Sequence, residues 1–290
     1  MLSLVASMAL TGANVPLAKA LLAEVPADAL LVLRFALASA VLAVLVRFEP
    51  GPPLLGLTGR QWGAVIVLGL VGSVGFTWAI LEGVRRTSGA SAGIITATLP
   101  AVIALIGIAL GYRPHRGQIA MIALAVAGVA LIQGQPSNGA VDAFAGNALI
   151  GLAVLCEATF VIVARGISTR LRPIRLSLGV ALVSLGLCLP TGLPAVAQLS
   201  PGAIGGATWA LFAWYALTAS VLCTVLWYRG AAHVEPWAAG LATAAVPVTA
   251  LAVSALFLGE HISPLQIGGA ALVVAAIAAG TLGGRDTPRA

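Results

Sequence analysis

The chain alternates long apolar segments with short polar or charged ones over its whole length. Ten apolar segments each approach the ~20 residues that an α-helix needs to cross the hydrocarbon core of a bilayer. They lie at residues 2–22, 28–47, 62–82, 88–111, 116–134, 146–166, 175–197, 206–228, 236–258 and 264–283. The longest polar stretch between them runs only from Gln133 to Gly146. The pattern predicts an all-α integral membrane protein with ten transmembrane helices and no separate soluble domain.

The composition indicates which solvent surrounds the protein. Apolar residues make up 60% of the 290 positions and charged residues 8%, whereas a water-soluble domain carries about 25% charged residues. The mean hydropathy of +1.06 agrees with this difference. Because too few polar side chains are present to cover a surface in water, lipid is the expected solvent. A soluble enzyme and a nucleic-acid-binding module are thereby excluded.

The basic residues indicate how the chain crosses the membrane. The net charge is +6, with 15 Lys and Arg residues against 9 acidic ones. Ten spans put both termini on one side, and eleven basic residues share that side with them. The four on the other side are Lys19, Arg34, Arg85 and Arg86. Because cytoplasmic connections are enriched in Lys and Arg, both termini are expected in the cytoplasm, and the excess charge indicates topology rather than a nucleic-acid partner.

Two stretches of the sequence recur at a nearly constant spacing. Ser91–Pro100 aligns with Ala238–Pro247 at an offset of 147, and five of the ten positions are identical. Leu110–Ile119 then aligns with Leu258–Ile267 at an offset of 148. Each copy would hold five spans, and an odd number of spans forces the two copies into opposite orientations. The sequence therefore predicts two inverted five-helix repeats, an arrangement typical of secondary transporters.

The repeats are expected at residues 1–138 and 139–290, with their boundary in the longest polar connection. The substrate would bind near the bilayer midplane between the repeats, which would rock to open one side at a time. Spans 1–4 and 6–9 are expected to enclose its path, because predicted spans 5 and 10 contain the fewest polar residues.

Several motifs resemble those of a known transporter family. They are Lys19 after a short first span, PADALLVLRFALA with Arg34, the small-residue run into TLP at Pro100, and LGEHISPLQIGGAALVVAAIAAG near the C-terminus. Together they resemble the drug/metabolite transporter superfamily, specifically its ten-span EamA-type members, several of which export amino acids. Tyr112 stands at the position that matches Glu260 in the second copy, where the family usually has a glutamate.

The resemblance implies the function and the partners that we expect. The resemblance to EamA-type members implies proton- or gradient-coupled export of small organic metabolites, and amino acids are the expected substrates. The expected partners are that small-molecule substrate, the lipid bilayer and protons, with no cofactor, no nucleic acid and a monomeric chain. An Arg-rich composition, in which Lys19 is the only lysine, favours a bacterial source and hence the inner membrane. A passive facilitator or channel for small solutes is the alternative.

Glu157 is the main candidate for substrate or ion binding. It lies near the centre of the sixth predicted span, in LCEATFVIVARG, and no basic residue lies within seven positions of it. An ionisable side chain at that depth costs about 2.5–3.5 kcal/mol on insertion scales, so such residues are functional candidates. The carboxyl group would carry a proton or pair with a substrate amine. The alternative is a neutral, hydrogen-bonded side chain that stabilises helix contacts.

Five further residues are candidates for the wall of the substrate site. Asn14 interrupts the first span, and its amide would bind substrate or bridge two helices. Thr96 and Thr243 occupy equivalent positions in the two repeats, which indicates a shared role at the central site. Trp78 and Trp214 lie deep enough in their spans to face a cavity, although aromatic residues nearer the helix ends form an interfacial belt.

Three basic residues lie within or at the ends of predicted spans. Arg34 would hold a substrate carboxylate or extend to the outer headgroups, and its position about six residues into the second span favours the headgroups. Lys19 and Arg165 align as loosely equivalent residues near helix ends, where long basic side chains are expected to reach the interface.

Enzymatic and metal chemistry find little support in the sequence. GASAG at residues 89–93 matches the GxSxG pattern of serine hydrolases, in which Ser91 would be the nucleophile of a membrane-embedded hydrolase. A nucleophile elbow follows a strand, and the pattern predicts none there. The three histidines and three cysteines are isolated from one another, so no metal site is expected. The protein is therefore expected not to be an enzyme.

Overall fold

The computed structural model of the chain describes residues 1–51, 53–87, 89–133, 143–200, 202, 204–259 and 261–283. Within these residues the secondary structure is helical and contains no β-strand. Ten helical segments are long and apolar enough to cross a bilayer, which confirms the predicted all-α membrane architecture. The predicted repeat boundary at residue 138 and the motif residue Glu260 lie outside the described residues.

The ten spans follow the predicted segments, with ends shifted by a few residues. Spans 1 to 5 are Leu2–Leu21, Ala27–Phe48, Gly59–Arg86, Ser91–Ala109 and Arg116–Gln133. Spans 6 to 10 are Phe144–Ser168, Pro173–Ala197, Gly206–Ala231, Pro236–Phe257 and Pro264–Thr281. Because consecutive spans alternate in direction, the connections after spans 2, 4, 6 and 8 lie at the end of the bundle that holds Met1. We call this the terminal end and the other the opposite end.

Spans 3 and 8 each contain one π-helical segment near the middle. In span 3 the π segment Leu70–Gly75 joins the α-helices Gly59–Gly69 and Phe76–Arg86. In span 8 the π segment Thr218–Leu222 joins the α-helices Gly206–Leu217 and Cys223–Ala231. The two π segments begin 148 residues apart, which is also the offset of the second pair of aligned sequence blocks. Single π turns inside α-helices frequently mark functional sites.

Spans 4 and 9 are each broken close to a proline. Span 4 consists of the helices Gly89–Ala97 and Leu99–Ala109, and span 9 of Pro236–Thr243 and Ala245–Leu258. Pro100 and Pro247 each lie in the first turn of the second helix, where a missing amide hydrogen costs least. The two breaks therefore follow from prolines that the sequence repeat places at equivalent positions.

Spans 4 and 9 meet at the terminal end and diverge towards the opposite end. Their terminal halves pack against each other, and a Cβ atom added to Gly240 would lie only 3.2 Å from the Ile103 side chain. In the other half, Gly89–Ala97 packs on spans 5 and 6, whereas Ala245–Leu258 packs mainly on span 1. The divergence leaves space near the centre of the bundle.

Glu49 anchors the connection between spans 2 and 3 to the start of span 7. Its carboxylate accepts hydrogen bonds from the backbone amides of Ile174 at 3.0 Å and Arg175 at 2.9 Å, which satisfies two amides at a helix N-terminus. The Arg175 guanidinium, in a residue only 5% exposed, donates to the carbonyls of Glu49, Pro50 and Gly51. This network holds the connection in place at the terminal end.

An apolar core closes the terminal end of the bundle. Five residues from five different spans are completely buried there, close to the ends of their helices: Leu4, Ala164, Leu176, Ala231 and Ala239. Small side chains at three of these positions let the helices approach closely, as is typical of helix contacts in membranes.

Candidate functional site

A cavity of about 470 Å³ lies at the centre of the bundle, within the size range of small-molecule sites. Nine spans line it, including both π segments through Ser73 and Ser220, and no described residue of span 10 does. The expectation that span 5 stands outside the path is wrong, because Val129 and Gln133 reach the cavity wall. Span 5 packs against the diverging half of span 4, which brings it to the cavity despite its low polar content.

Glu157 lies at the cavity wall in the middle of the helix Ala143–Ser168. Within the described chain, no basic side chain forms an ion pair with it. Phe160, one turn further along, stacks on Trp227 with ring centroids 6.2 Å apart and lies 6.3 Å from the Tyr228 ring. A carboxyl group without a counter-ion beside aromatic faces is suited to bind an organic cation, because both attract positive charge.

Arg34 also lines the cavity, from the first half of span 2. Its Nη1 donates a hydrogen bond of 2.9 Å to the Tyr215 hydroxyl, and the guanidinium lies 4.5 Å from the centroid of the Phe35 ring. The interpretation that this side chain extends to the headgroups is therefore wrong. Depth along the span suggested the headgroups, but the helix face carrying Arg34 points inward.

Thr96 and Thr243 both line the cavity, and both hydroxyls are satisfied within the protein. Thr96 donates to the Ala92 carbonyl at 2.9 Å and lies 2.9 Å from Gln133 Oε1. Thr243 donates to the Gly240 carbonyl at 2.7 Å. The two equivalent threonines thus bond back to the preceding turn of their own broken helices, and a contact to substrate stays a prediction.

Asn14, Trp78 and Trp214 do not line the cavity. Asn14 is 4% exposed, and its Oδ1 accepts a hydrogen bond of 3.0 Å from Thr218, so it bridges spans 1 and 8 at the edge of a π segment. Trp78 and Trp214 are 56% and 60% exposed on the outer surface of the bundle. The structure therefore separates these three residues from Glu157, and they are not part of the site that we propose.

Three residues on the terminal side of the cavity were not among the predicted site residues. Ser177, Trp227 and Tyr228 line the cavity, and each has a buried polar atom without a hydrogen-bond partner in the described chain. A buried polar group without a partner lowers the stability of a fold by about 1–3 kcal/mol. No sequence signal marks them, because a serine or an aromatic residue near a helix end is common in membrane spans.

Arg165 is held by contacts within the protein at the terminal end, and its expected contact with the interface stays a prediction. It lies in the last turn of span 6, and its guanidinium turns inward to bond with Tyr112 and Val234 in two neighbouring connections. Lys19, its loose equivalent, lies in the last turn of the helix Leu2–Leu21 at the opposite end.

The features considered for metal or hydrolytic chemistry lie apart from one another. No group of His, Cys, Asp and Glu residues that could hold a metal ion occurs in the part of the chain that the structure describes. Ser91 lies in the helix Gly89–Ala97 at the opposite end and is not a cavity residue. Among the described residues, the cavity wall carries one acid, Glu157, and one base, Arg34.

Comparison with known proteins identifies the family. The sequence model of the EamA-like transporter family matches residues 1–134 and again residues 144–280. The protein named Uncharacterized transporter YetK, from Bacillus subtilis (strain 168), is 31% identical over 280 residues, which cover 95% of this chain and 84% of that protein. A solved crystal structure has the same fold, with a TM-score of 0.80 and 19% identity over 97% of this chain and 96% of that chain. The chain therefore belongs to the EamA-like transporter family of the drug/metabolite transporter superfamily and is a multi-pass membrane transporter.

Proposed function

We propose that the protein is a secondary transporter that exports small zwitterionic metabolites, with amino acids as the expected substrates, by alternating access. One observation carries the proposal: Glu157 and Arg34 line the same central cavity. Both residues are partly buried, and desolvating an acid and a base without pairing them is costly in an apolar surrounding. A solute that carries both charges offsets the cost at both residues.

The two charged groups have different roles in this proposal. Glu157 binds the substrate ammonium group, or a coupling proton when no substrate is present, and the Phe160 and Trp227 rings add attraction for the cation. Arg34 binds the substrate carboxylate, because a guanidinium matches the geometry of that group. Thr96 and Thr243 form the wall between spans 4 and 9, and Asn14, Trp78 and Trp214 have no role in substrate binding.

Matching irregularities in the two halves support the inverted repeats at residues 1–138 and 139–290. The π segments of spans 3 and 8 and the broken spans 4 and 9 recur at the spacing of the sequence repeat. The family model also matches once in each half. In this proposal the halves rock about the cavity, and the irregular helices are the places where the backbone adjusts.

Orientation, coupling and oligomeric state complete the proposal. The distribution of basic residues supports a bacterial inner-membrane protein with both termini in the cytoplasm. The cavity then faces the outside in the conformation described here. One chain encloses the cavity with its own spans, which supports a monomeric transporter. The ionisable Glu157 carboxyl on the cavity wall supports coupling to protons.

The experiment that tests this function is counterflow in liposomes. Purified protein is reconstituted, and exchange of radiolabelled L-alanine, L-threonine and L-phenylalanine is measured. We expect exchange of at least one of them, and a loss of at least ~10-fold in Glu157→Gln, because the loss of one charged interaction corresponds to about that factor. Glu82→Gln is the matched control, since Glu82 pairs with Arg85 and Arg86 away from the cavity.

Two outcomes would contradict the proposal. If folded wild-type protein exchanges none of the three amino acids, the substrate class is wrong. If Glu157→Gln transports at the wild-type rate with the wild-type pH dependence, Glu157 has no role. Imposing a pH gradient distinguishes the alternative, because a passive facilitator or channel lets the amino acid equilibrate but never accumulate.

A further inference from the structure

Arg165 joins the two halves of the chain at the closed end of the bundle. We propose that it is the gating residue of the terminal end, whose bonds have to break before the cavity opens there. The inference rests on the alternating-access function proposed above. It adds a named residue that controls one of the two openings.

The contacts of Arg165 connect three separate elements. From the last turn of span 6, Nε donates to the Val234 carbonyl and Nη1 to the Tyr112 hydroxyl, both at 2.5 Å, and the guanidinium lies 4.8 Å from the Tyr112 ring centroid. Tyr112 belongs to the connection after span 4, in the first half of the chain. Val234 belongs to the connection after span 8, in the second half. We call this set of contacts the Arg165 tie.

The Arg165 tie lies beside the closest approach of spans 4 and 9. A Cβ atom added to Gly107, in the last turns of span 4, would lie 3.1 Å from Pro236, the first residue of span 9. Tyr112 follows Gly107 by five residues, and Val234 precedes Pro236 by two. If spans 4 and 9 move apart at this end, the connections that carry Tyr112 and Val234 separate as well. At least one bond of the tie then has to break.

The acceptors of the tie suit a contact that forms and breaks repeatedly. A phenol and a backbone carbonyl are both neutral, and no acid of the described chain pairs with Arg165. Glu235, next to Val234, accepts instead from Trp237 Nε1 at 2.7 Å. Hydrogen bonds from a guanidinium are stronger than neutral ones. Breaking them here leaves no buried counter-ion behind, which would otherwise make opening costly.

Side-specific labelling of the cavity tests the gate without a substrate. The native cysteines Cys156, Cys188 and Cys223 are replaced by serine, and Thr224→Cys introduces one thiol at the cavity wall. A membrane-impermeant maleimide is applied to either face of vesicles of known orientation. Labelling of this single-cysteine protein is compared with labelling after Arg165→Gln, Tyr112→Phe or Arg170→Gln is added to it. Arg170 is an exposed arginine at the same end and serves as the control.

The expected result is a shift of labelling towards the terminal side. Arg165→Gln should raise the terminal-side rate by more than about tenfold, because it removes both hydrogen bonds of the tie and the loss of one bond to a charged group already corresponds to about that factor. Tyr112→Phe should raise it less, because the ring contact with the guanidinium remains. Arg170→Gln should leave it unchanged. Equal terminal-side rates in Arg165→Gln and Arg170→Gln would overturn the gate.

Two features keep the test decisive. If Arg165→Gln does not fold, the test relies on Tyr112→Phe, which removes only one oxygen atom. An unchanged terminal-side labelling rate in that variant counts against the gate. The labelling decides the gate even if no amino acid is transported. Counterflow therefore tests the substrate class, and labelling tests the gate independently of it.

Discussion

Arg34 in span 2 and Tyr215 in span 8 meet at the cavity, where Arg34 Nη1 donates to the Tyr215 hydroxyl over 2.9 Å. The guanidinium also lies 5.7 Å from the centroid of the Tyr215 ring. Span 2 belongs to the first half of the chain and span 8 to the second, so the contact crosses between the halves. Arg34 Nε is buried and has no hydrogen-bond partner in the described chain. A substrate carboxylate would supply the missing acceptor.

Replacing Arg34 should therefore affect carboxylate recognition in particular. In Arg34→Gln we expect the KM for the transported amino acid to rise roughly 10-fold or more, since a hydrogen bond to a charged group contributes about 1.5–3 kcal/mol. Inhibition by propylamine, which has no carboxylate, should stay the same. Counterflow with and without propylamine measures both quantities, and Arg47→Gln at the terminal end of span 2 is the control. If both compounds lose binding equally, Arg34 does not bind the carboxylate.

Gly72 in the π segment of span 3 is expected to tolerate no larger residue. A Cβ atom there would lie 2.5 Å from Phe160 Cδ2, so the Phe160 ring, which stacks on Trp227, would have to shift. We expect Gly72→Ala to destabilise the protein by about 1–3 kcal/mol, as overpacking usually does, and to slow transport. Thermal unfolding in detergent measures the first effect. Gly63→Ala in the same span meets nothing within 4 Å and should leave the melting temperature unchanged or slightly raised.

Removal of the Glu49 carboxylate should destabilise the terminal end strongly. In Glu49→Ala, Arg175 stays buried but loses the carboxylate that lies 3.9 Å from its Nη1. The substitution also removes both hydrogen bonds from the backbone amides of span 7. Breaking a buried pair on one side costs about 3–5 kcal/mol. Glu24→Ala at the opposite end removes an exposed carboxylate that accepts from Thr208 and should cost about 1 kcal/mol or less. Equal losses of melting temperature in the two variants would contradict the assigned role of Glu49.

Tyr228→Phe should stabilise the conformation described here. The Tyr228 side chain is completely buried, and its hydroxyl has no hydrogen-bond partner in the described chain. Removing a buried polar group without a partner relieves a cost of about 1–3 kcal/mol, so the melting temperature should rise. Tyr215→Phe is the matched variant, and it should lower the melting temperature because it breaks the bond to Arg34. A fall for Tyr228→Phe as large as that for Tyr215→Phe would show that the hydroxyl is satisfied.

The sequence by itself determined the number of spans, their approximate ends and the depth of Glu157. These are local properties, because a run of about 20 apolar residues crosses a bilayer whatever surrounds it. The sequence repeat likewise placed Pro100 and Pro247 at equivalent positions, and the structure shows a break close to each of them.

Only the tertiary structure decided which side chains face the cavity. Trp78 and Trp214 lie at a suitable depth yet face outward, whereas Arg34 and Arg165 turn inward. In a soluble protein the polar face of a helix indicates its orientation, but here lipid and protein interior are both apolar, so hydrophobicity distinguishes the two faces poorly. The orientation of each span depends on contacts between residues far apart in the sequence, and those contacts exist only in the assembled bundle.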